Sequence, residues 1–204
     1  MQMNDATRFL CGVVVTILPC MMPGRADSTG GEFLVVDPPS CAMGNAVVGG
    51  SLEDFERQWG KPTQLTKFTR SDSIDEQEGI YARPEVIIYS IGKVIKRMGV
   101  GLRMERDKGG HAPLLSDVKY GMKSAEIQKL YGLPYSMISG KYSQNLFYKW
   151  DKCCVVISFS RIADGAYEVV MLSTDVPAEN DVIDPKLLQE CGIGMSQSVK
   201  GDGK

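Results

Sequence analysis

Gly49-Gly-Ser-Leu-Glu-Asp-Phe-Glu-Arg-Gln-Trp-Gly-Lys-Pro62 returns 72 residues later as Gly121-Met-Lys-Ser-Ala-Glu-Ile-Gln-Lys-Leu-Tyr-Gly-Leu-Pro134. Asp54 matches Glu126, Phe55 matches Ile127, Trp59 matches Tyr131, and Gly-x-Pro closes both stretches. Self-similarity at a fixed offset bears on architecture before any single residue does. In each stretch a serine, Ser51 or Ser124, can cap a helix, and Asp54 follows Ser51 at capping-box spacing. Leu52, Phe55 and Trp59 supply one apolar helix face; Ile127, Leu130 and Tyr131 supply the other. Gly60 and Gly132 suit left-handed C-terminal caps, and Pro62 and Pro134 prevent continuation.

Beyond each helix the apolar period shortens to that of strands. The first stretch is followed by a polar segment, Thr63 to Glu78, then Val86 to Ser90, an alternating run Val100 to Glu105, a turn at Lys108 to Gly110 and a returning strand Leu114 to Val118. The second is followed by Asn145 to Trp150, Cys153 to Ser160, a turn at Ala163 to Gly165 and Glu168 to Ser173. The expected fold class is therefore α+β: two tandem repeats, each a helical segment followed by an antiparallel β-meander. Repeat one spans 47–118 and repeat two 119–174. Residues 27–46 read as a flexible N-terminal arm around Phe33 to Val36. Residues 175–204 read as a largely disordered tail with one possible helical turn at Pro185 to Cys191.

Residues 1–26 read as a secretory signal peptide. Arg8 precedes an apolar run from Phe9 to Met22, and Gly24-Arg25-Ala26 offers small residues for cleavage. The run is too short for a membrane span. Lipidation at Cys20 is disfavoured by Pro19, so a periplasmic or secreted protein is expected ahead of an outer-membrane lipoprotein. Cleavage after Ala26 removes Asp5, Arg8 and Arg25 and takes the net charge from −2 to −3. With no basic block of five residues, nucleic-acid binding by phosphate neutralisation is not expected.

Six cysteines fall to four on cleavage: Cys41, Cys153, Cys154 and Cys191. In an exported chain these are disulfide candidates with three possible connectivities. Cys153 and Cys154 are adjacent, so each is expected to look elsewhere, to Cys41 and Cys191.

His111 is the only histidine and lies on a turn, so a histidine-dependent catalytic triad or zinc site has little to draw on. Asp75, Glu76 and Glu78 sit in a polar segment with no apolar surroundings to raise a pKa. Gly30-Gly31 and Gly99-Val100-Gly101 lack the frame of a phosphate cradle. No catalytic residue, metal or cofactor is expected.

A two-residue turn at Asp151-Lys152 sets a hairpin register. Lys149 then faces Cys154, Tyr148 faces Val155, Phe147 faces Val156 and Leu146 faces Ile157. One face carries Leu146, Tyr148, Trp150, Cys153, Val155, Ile157 and Phe159 and should lie under the helices. The other carries Phe147, Lys149, Cys154, Val156, Ser158 and Ser160. Of these, Phe147, Lys149, Val156 and Ser158, with Arg103, form the expected open, partner-binding face. The alternative is that the N-terminal arm or the C-terminal tail covers that patch.

The paired Gly-x-x-x-x-acidic-apolar-x-x-x-x-Gly-x-Pro motif, followed by an aromatic-rich hairpin, resembles the outer-membrane assembly lipoproteins of the BamE (SmpA/OmlA) type. Two such units in one exported chain resemble the β-lactamase inhibitory protein. The resemblance covers about Val47 to Ser173. It implies helices on one face of an antiparallel sheet with the other face open for proteins. The function expected is an exported, non-catalytic protein-binding or envelope-assembly module, its partner another protein in the envelope or outside the cell. The alternatives are a secreted enzyme using carboxylates without histidine and a structural envelope component.

Overall fold

The computed structural model describes residues 33–69, 75–82, 85–102, 114–161, 165–177 and 181–194. The expected signal peptide with Cys20, the turn at 108–110, Arg103, His111 and the last ten residues lie outside the described residues.

In chain order the elements are β1 (Leu34–Asp37), β2 (Ala42–Met43), β3 (Ala46–Val47), α1 (Leu52–Trp59), β4 (Gln64–Thr69), β5 (Asp75–Ala82), β6 (Glu85–Ile91), β7 (Val94–Gly101), β8 (Leu114–Ser116), α2 (Ser124–Tyr131), β9 (Ser136–Ser139), β10 (Ser143–Lys149), β11 (Cys153–Ser160), β12 (Gly165–Ser173) and α3 (Pro185–Glu190). The expected α+β class with two helix-plus-meander repeats is overturned. Strands take 49% of the described residues and helices 16%, in two sheets with three short helices. The larger sheet has eight strands in the order β4-β5-β6-β7-β12-β11-β10-β9, all antiparallel; the smaller has the order β3-β2-β1-β8.

Three strand placements account for the difference. The polar segment after α1 pairs as β4 and β5. Its alternation is weak because β4 is a sheet edge with Leu65 46% exposed, and an edge strand need not be apolar. Leu114 does not return to the large sheet: β8 lies parallel to β1, Leu34 opposite Leu114. The segment read as a flexible arm buries Leu34 and Val36 and supplies β1 itself.

The motif glycines end the helices, at positive φ but with extended ψ of −168° and −163° in place of the left-handed cap expected. Gly60 and Gly132 have φ of 83° and 81°, a region that favours glycine, and each donates its N–H to the carbonyl four residues back. Ser51 caps α1 by accepting from the Glu53 N–H at 3.1 Å; Asp54 pairs instead with Arg57. α2 begins one residue earlier than a Ser124 cap requires: its cap is Lys123, whose N–H donates to the Glu126 carboxylate at 2.7 Å. Phe55 and Ile127 are fully buried, whereas Leu130, expected on the apolar face, is 48% exposed.

The large sheet has a core on each face. On one side Leu52, Phe55 and Ile127 of the helices and Leu34, Val36 and Met43 of the small sheet pack over Ile88, Met98, Leu146, Val155, Ile157 and Met171. Phe55 meets Tyr81 edge-on at 4.9 Å, and Tyr131 meets Tyr148 and Trp150 at 5.8 and 5.7 Å. On the other side Tyr89, Phe147, Cys154, Val156 and Leu172 lie under Val176, Ile183, Leu188 and Ile193 of the C-terminal segment. β11 is buried from Cys153 to Phe159 because both its faces are covered, which is why it reads as a nearly unbroken apolar run. Among the described residues, no helix is long and apolar enough to cross a membrane.

Candidate functional site

The sheet face beneath α3 is the one expected to be open, and the structure covers much of it. Phe147, Val156 and Ser158 are 2%, 4% and 6% exposed. The cause is the C-terminal segment, read as largely disordered. Asp184 caps α3 by accepting from the Lys186 N–H at 2.9 Å, and Pro185 starts the helix where a missing N–H costs nothing. Leu188 and Ile193 then bury themselves against the sheet. A Cys154–Cys191 disulfide fixes the segment to β11, and Glu190 accepts from the Ser136 hydroxyl at 2.7 Å. Lys149 stays exposed, its ammonium 5.6 Å from the Tyr135 ring centroid. Arg103 lies outside the described residues. Of the two expectations for this face, an open patch or one covered by a chain end, the burial of Phe147 and Val156 fits the second, with the C-terminal segment as the cover.

The four cysteine candidates form two bridges, Cys41–Cys153 and Cys154–Cys191. Neighbouring β-strand residues point to opposite faces. Cys153 thus ties the N-terminal segment to one face of β11 while Cys154 ties the C-terminal segment to the other.

What remains uncovered is defined by strand register. Across the large sheet one row of same-face positions reads Ile80, Ile87, Gly99, Val170, Val156 and Phe147; the next reads Gly101, Glu168, Ser158, Asn145 and Ile138. Gly99 and Gly101 are alternate residues on β7, so their missing side chains leave a bare lane on this face. Among the described residues, a Cβ on Gly99 would make only ordinary contact with Val170, at 3.6 Å, and one on Gly101 would meet nothing within 4 Å. The lane is flanked by Ile87, 38% exposed, and by half-buried Val170 and Glu168. It continues under the edge of α3 into a cleft of about 370 Å³.

The walls of that cleft are mixed. Ile138, Phe147, Val156, Val170 and Leu187 present carbon, Asn145, Ser143 and Ser158 present hydrogen-bonding groups, and Glu168 presents a carboxyl. Burial raises the Glu168 carboxyl above the ordinary carboxylate range, and Arg97 pulls it part of the way back. Arg97 is itself in close ion-pair contact with Glu78. Among the described residues no group of three His, Cys, Asp or Glu could hold a metal. All four described cysteines are oxidised.

Glu168, Asn145, Val170 and the two glycines did not figure among the expected site residues. The signal was present in Gly99-Val100-Gly101, two glycines of one parity within a strand, which speaks for close approach to a sheet face rather than for phosphate.

No family model matches the chain, and no curated protein sequence matches it. Among solved structures the chain is similar to an extracellular protein containing an SCP domain from Bacillus anthracis, at 13% identity and TM-score 0.44 over 62% of this chain and 44% of that one. It is similar to a cysteine-rich secretory protein from Staphylococcus aureus, at 12% identity and TM-score 0.46 over 70% and 50%. It is also similar to a candidate β-lactamase inhibitor protein from Streptococcus mutans, at 11% identity and TM-score 0.26 over 66% and 85%. The chain thus spans about half the length of the first two. None of these three is an outer-membrane assembly lipoprotein, and likeness at this level assigns no function.

Proposed function

We propose that this chain is an exported, non-catalytic protein-binding module whose binding surface is the lane over Gly99 and Gly101 and the adjoining cleft. The carrying observation is the lane: two side-chain-free positions on an interior strand of the eight-stranded sheet, with exposed Ile87 and half-buried Val170 beside them. A strand interior gains nothing in stability from glycine, since glycine loses more conformational freedom on ordering and packs nothing. Close approach by another molecule explains both residues.

Export is supported by the two disulfides, which persist in oxidising compartments. A binding role rather than catalysis is supported by the site's chemistry. Glu168 sits on the cleft floor and Asp184 at its mouth, where Asp184 already caps α3 through the Lys186 N–H, so among the described residues neither carboxylate is held against a histidine or other general base in the manner of an activated nucleophile.

The test is capture of a partner from the exported fraction of the source cells, with Gly101→Trp as the probe. A Cβ at Gly101 meets no described atom within 4 Å, and the melting curve of the variant checks that the indole beyond it is accommodated. A specific partner retained by the wild type and lost by a Gly101→Trp variant with an unchanged melting curve supports the reading. Equal capture by both removes the lane from the interface.

A further inference from the structure

We propose that the cleft beside Glu168 receives the ammonium or guanidinium end of a basic side chain presented by a partner protein. The proposal rests on the reading of this face as a protein-binding surface and names what that surface recognises.

The argument starts from the row Gly101, Glu168, Ser158, Asn145, Ile138. Directly paired residues of an antiparallel sheet project on the same side with Cβ atoms about 5 Å apart. Glu168 therefore has on one side the empty position of Gly101 and on the other the hydroxyl and amide of Ser158 and Asn145. An acceptor-rich floor is open along one flank.

Among the described residues, two of the three cations nearby have other contacts. Arg97 is in ion-pair contact with Glu78, and Lys149 stands over Tyr135. Lys186 is exposed at the mouth, with Asp184 of opposite sign lining the same cleft. Among the described residues none donates a hydrogen bond to the Glu168 carboxylate. A half-buried carboxylate with no hydrogen-bond donor and only the longer-range pull of Arg97 is unfavourable, and an arriving cation lowers that penalty. The same charge repels acidic side chains.

The walls suit the stem of a basic side chain. Ile138, Phe147, Val156, Val170 and Leu187 line the approach to the polar floor. Lysine and arginine carry methylene stems that pack on carbon while the charged end finds oxygen. A volume of about 370 Å³ lies at the small end of ligand clefts, which run from roughly 300 to 1,000 Å³. It accommodates a side chain rather than a folded element.

The experiment is an NMR titration of the full folded chain with three probes: acetyl-Gly-Val-Lys-Val-Gly-amide, the same peptide with norleucine for lysine, and n-butylammonium. Each is added to the wild type, to Glu168→Gln and to Gly101→Lys, whose new ammonium stands beside Glu168 and occupies the floor in cis. The lysine peptide is expected to shift the amides of Glu168, Ser158 and Asn145 in the wild type, at least tenfold more tightly than the norleucine peptide. Both variants should lose that preference while keeping the wild-type melting midpoint or exceeding it. Equal binding of the norleucine peptide, or an undiminished response in Glu168→Gln, overturns the proposal. Butylammonium binding as tightly as the peptide also overturns it, since the cleft would then serve a free amine and not a protein. If Gly101→Trp abolishes partner capture while Glu168→Gln leaves it intact, the binding-surface reading stands and the cation falls; if neither variant affects capture, both fall.

Discussion

Phe147→Ala should cost about 3–5 kcal/mol, the range for truncating a large buried aromatic. Phe147 is 2% exposed, packed beneath Leu188 and Ile193 on the face away from α1 and α2. The cost should depend on the segment that covers it. Cys154 and Cys191 are 37 residues apart, and closing a loop of that length restrains the unfolded chain by about 4 kcal/mol in the chain-entropy account. Replacing both cysteines by alanine should therefore destabilise the chain by a similar amount and loosen the cover. In that background Phe147→Ala should cost less than in the wild type, giving a coupling energy of roughly 0.5–3 kcal/mol for residues sharing one packed cluster. The assay is guanidinium unfolding of the four proteins of the cycle, with midpoints and slopes fitted together. A Phe147→Ala cost below about 1 kcal/mol would show that the aromatic is open to water. Full additivity of the two changes would show that the C-terminal segment is not what buries it.

Other expectations follow from the same geometry. Gly60→Val and Gly132→Val should each cost on the order of 1–2 kcal/mol or more by forcing a β-branched residue to positive φ, because no neighbour lies within 4 Å to add a clash; thermal melts of both decide it. Lys149→Ala should move stability by no more than about 0.5 kcal/mol, since its side chain is exposed; a larger loss would assign a stabilising role to its contact with Tyr135. Glu168 governs a pH dependence. Its carboxyl is raised by burial, so the folded chain holds that proton more tightly than the unfolded chain does. Its contribution is then most favourable below the ordinary carboxylate pKa and is lost as pH rises through the raised value. The charged groups around it are Arg97 of β7 and Asp184 and Lys186 at the start of α3. Glu168→Gln should raise the melting midpoint near neutral pH and leave it unchanged well below the carboxylate range; a midpoint lowered at neutral pH would mean the carboxylate has a stabilising partner.

The parts of the fold written in short-range chemistry were legible. The turn at Asp151 and Lys152 sets the β10–β11 register, and Lys149 does stand opposite Cys154 and Leu146 opposite Ile157. Adjacent cysteines on a strand must face apart, and Cys153 and Cys154 do bridge to Cys41 and Cys191. What failed was written at long range. The parallel pairing of Leu34 with Leu114 has no local signature. The helical turn expected at Pro185 to Cys191 is present as α3, but its six residues are too few to be helical alone and gain their order by a docking that the sequence did not reveal. Hence the burial of Phe147 and Val156, which depends on that docking, could not be read from the hairpin. The site was half visible: Phe147, Val156 and Ser158 of the hairpin belong to the cleft walls, but as buried wall rather than open face, while Lys149 lies outside it. Glu168, on β12, reaches the same row only through the register with Ser158 and Gly101.

The central claim is that the glycine lane meets another protein, and a photocrosslinking amino acid placed at position 101 tests it most directly. Its side chain would project from the one lane position with nothing within 4 Å of a Cβ, beside Glu168. A control carries the same group at exposed Lys129 on α2. Illumination in the exported fraction of the source cells should give one discrete adduct at 101, competed away by excess unlabelled wild type and absent when Val170→Arg is added to the crosslinking chain. No adduct at 101, or one that survives both the competitor and Val170→Arg while position 129 crosslinks as efficiently, would contradict the account.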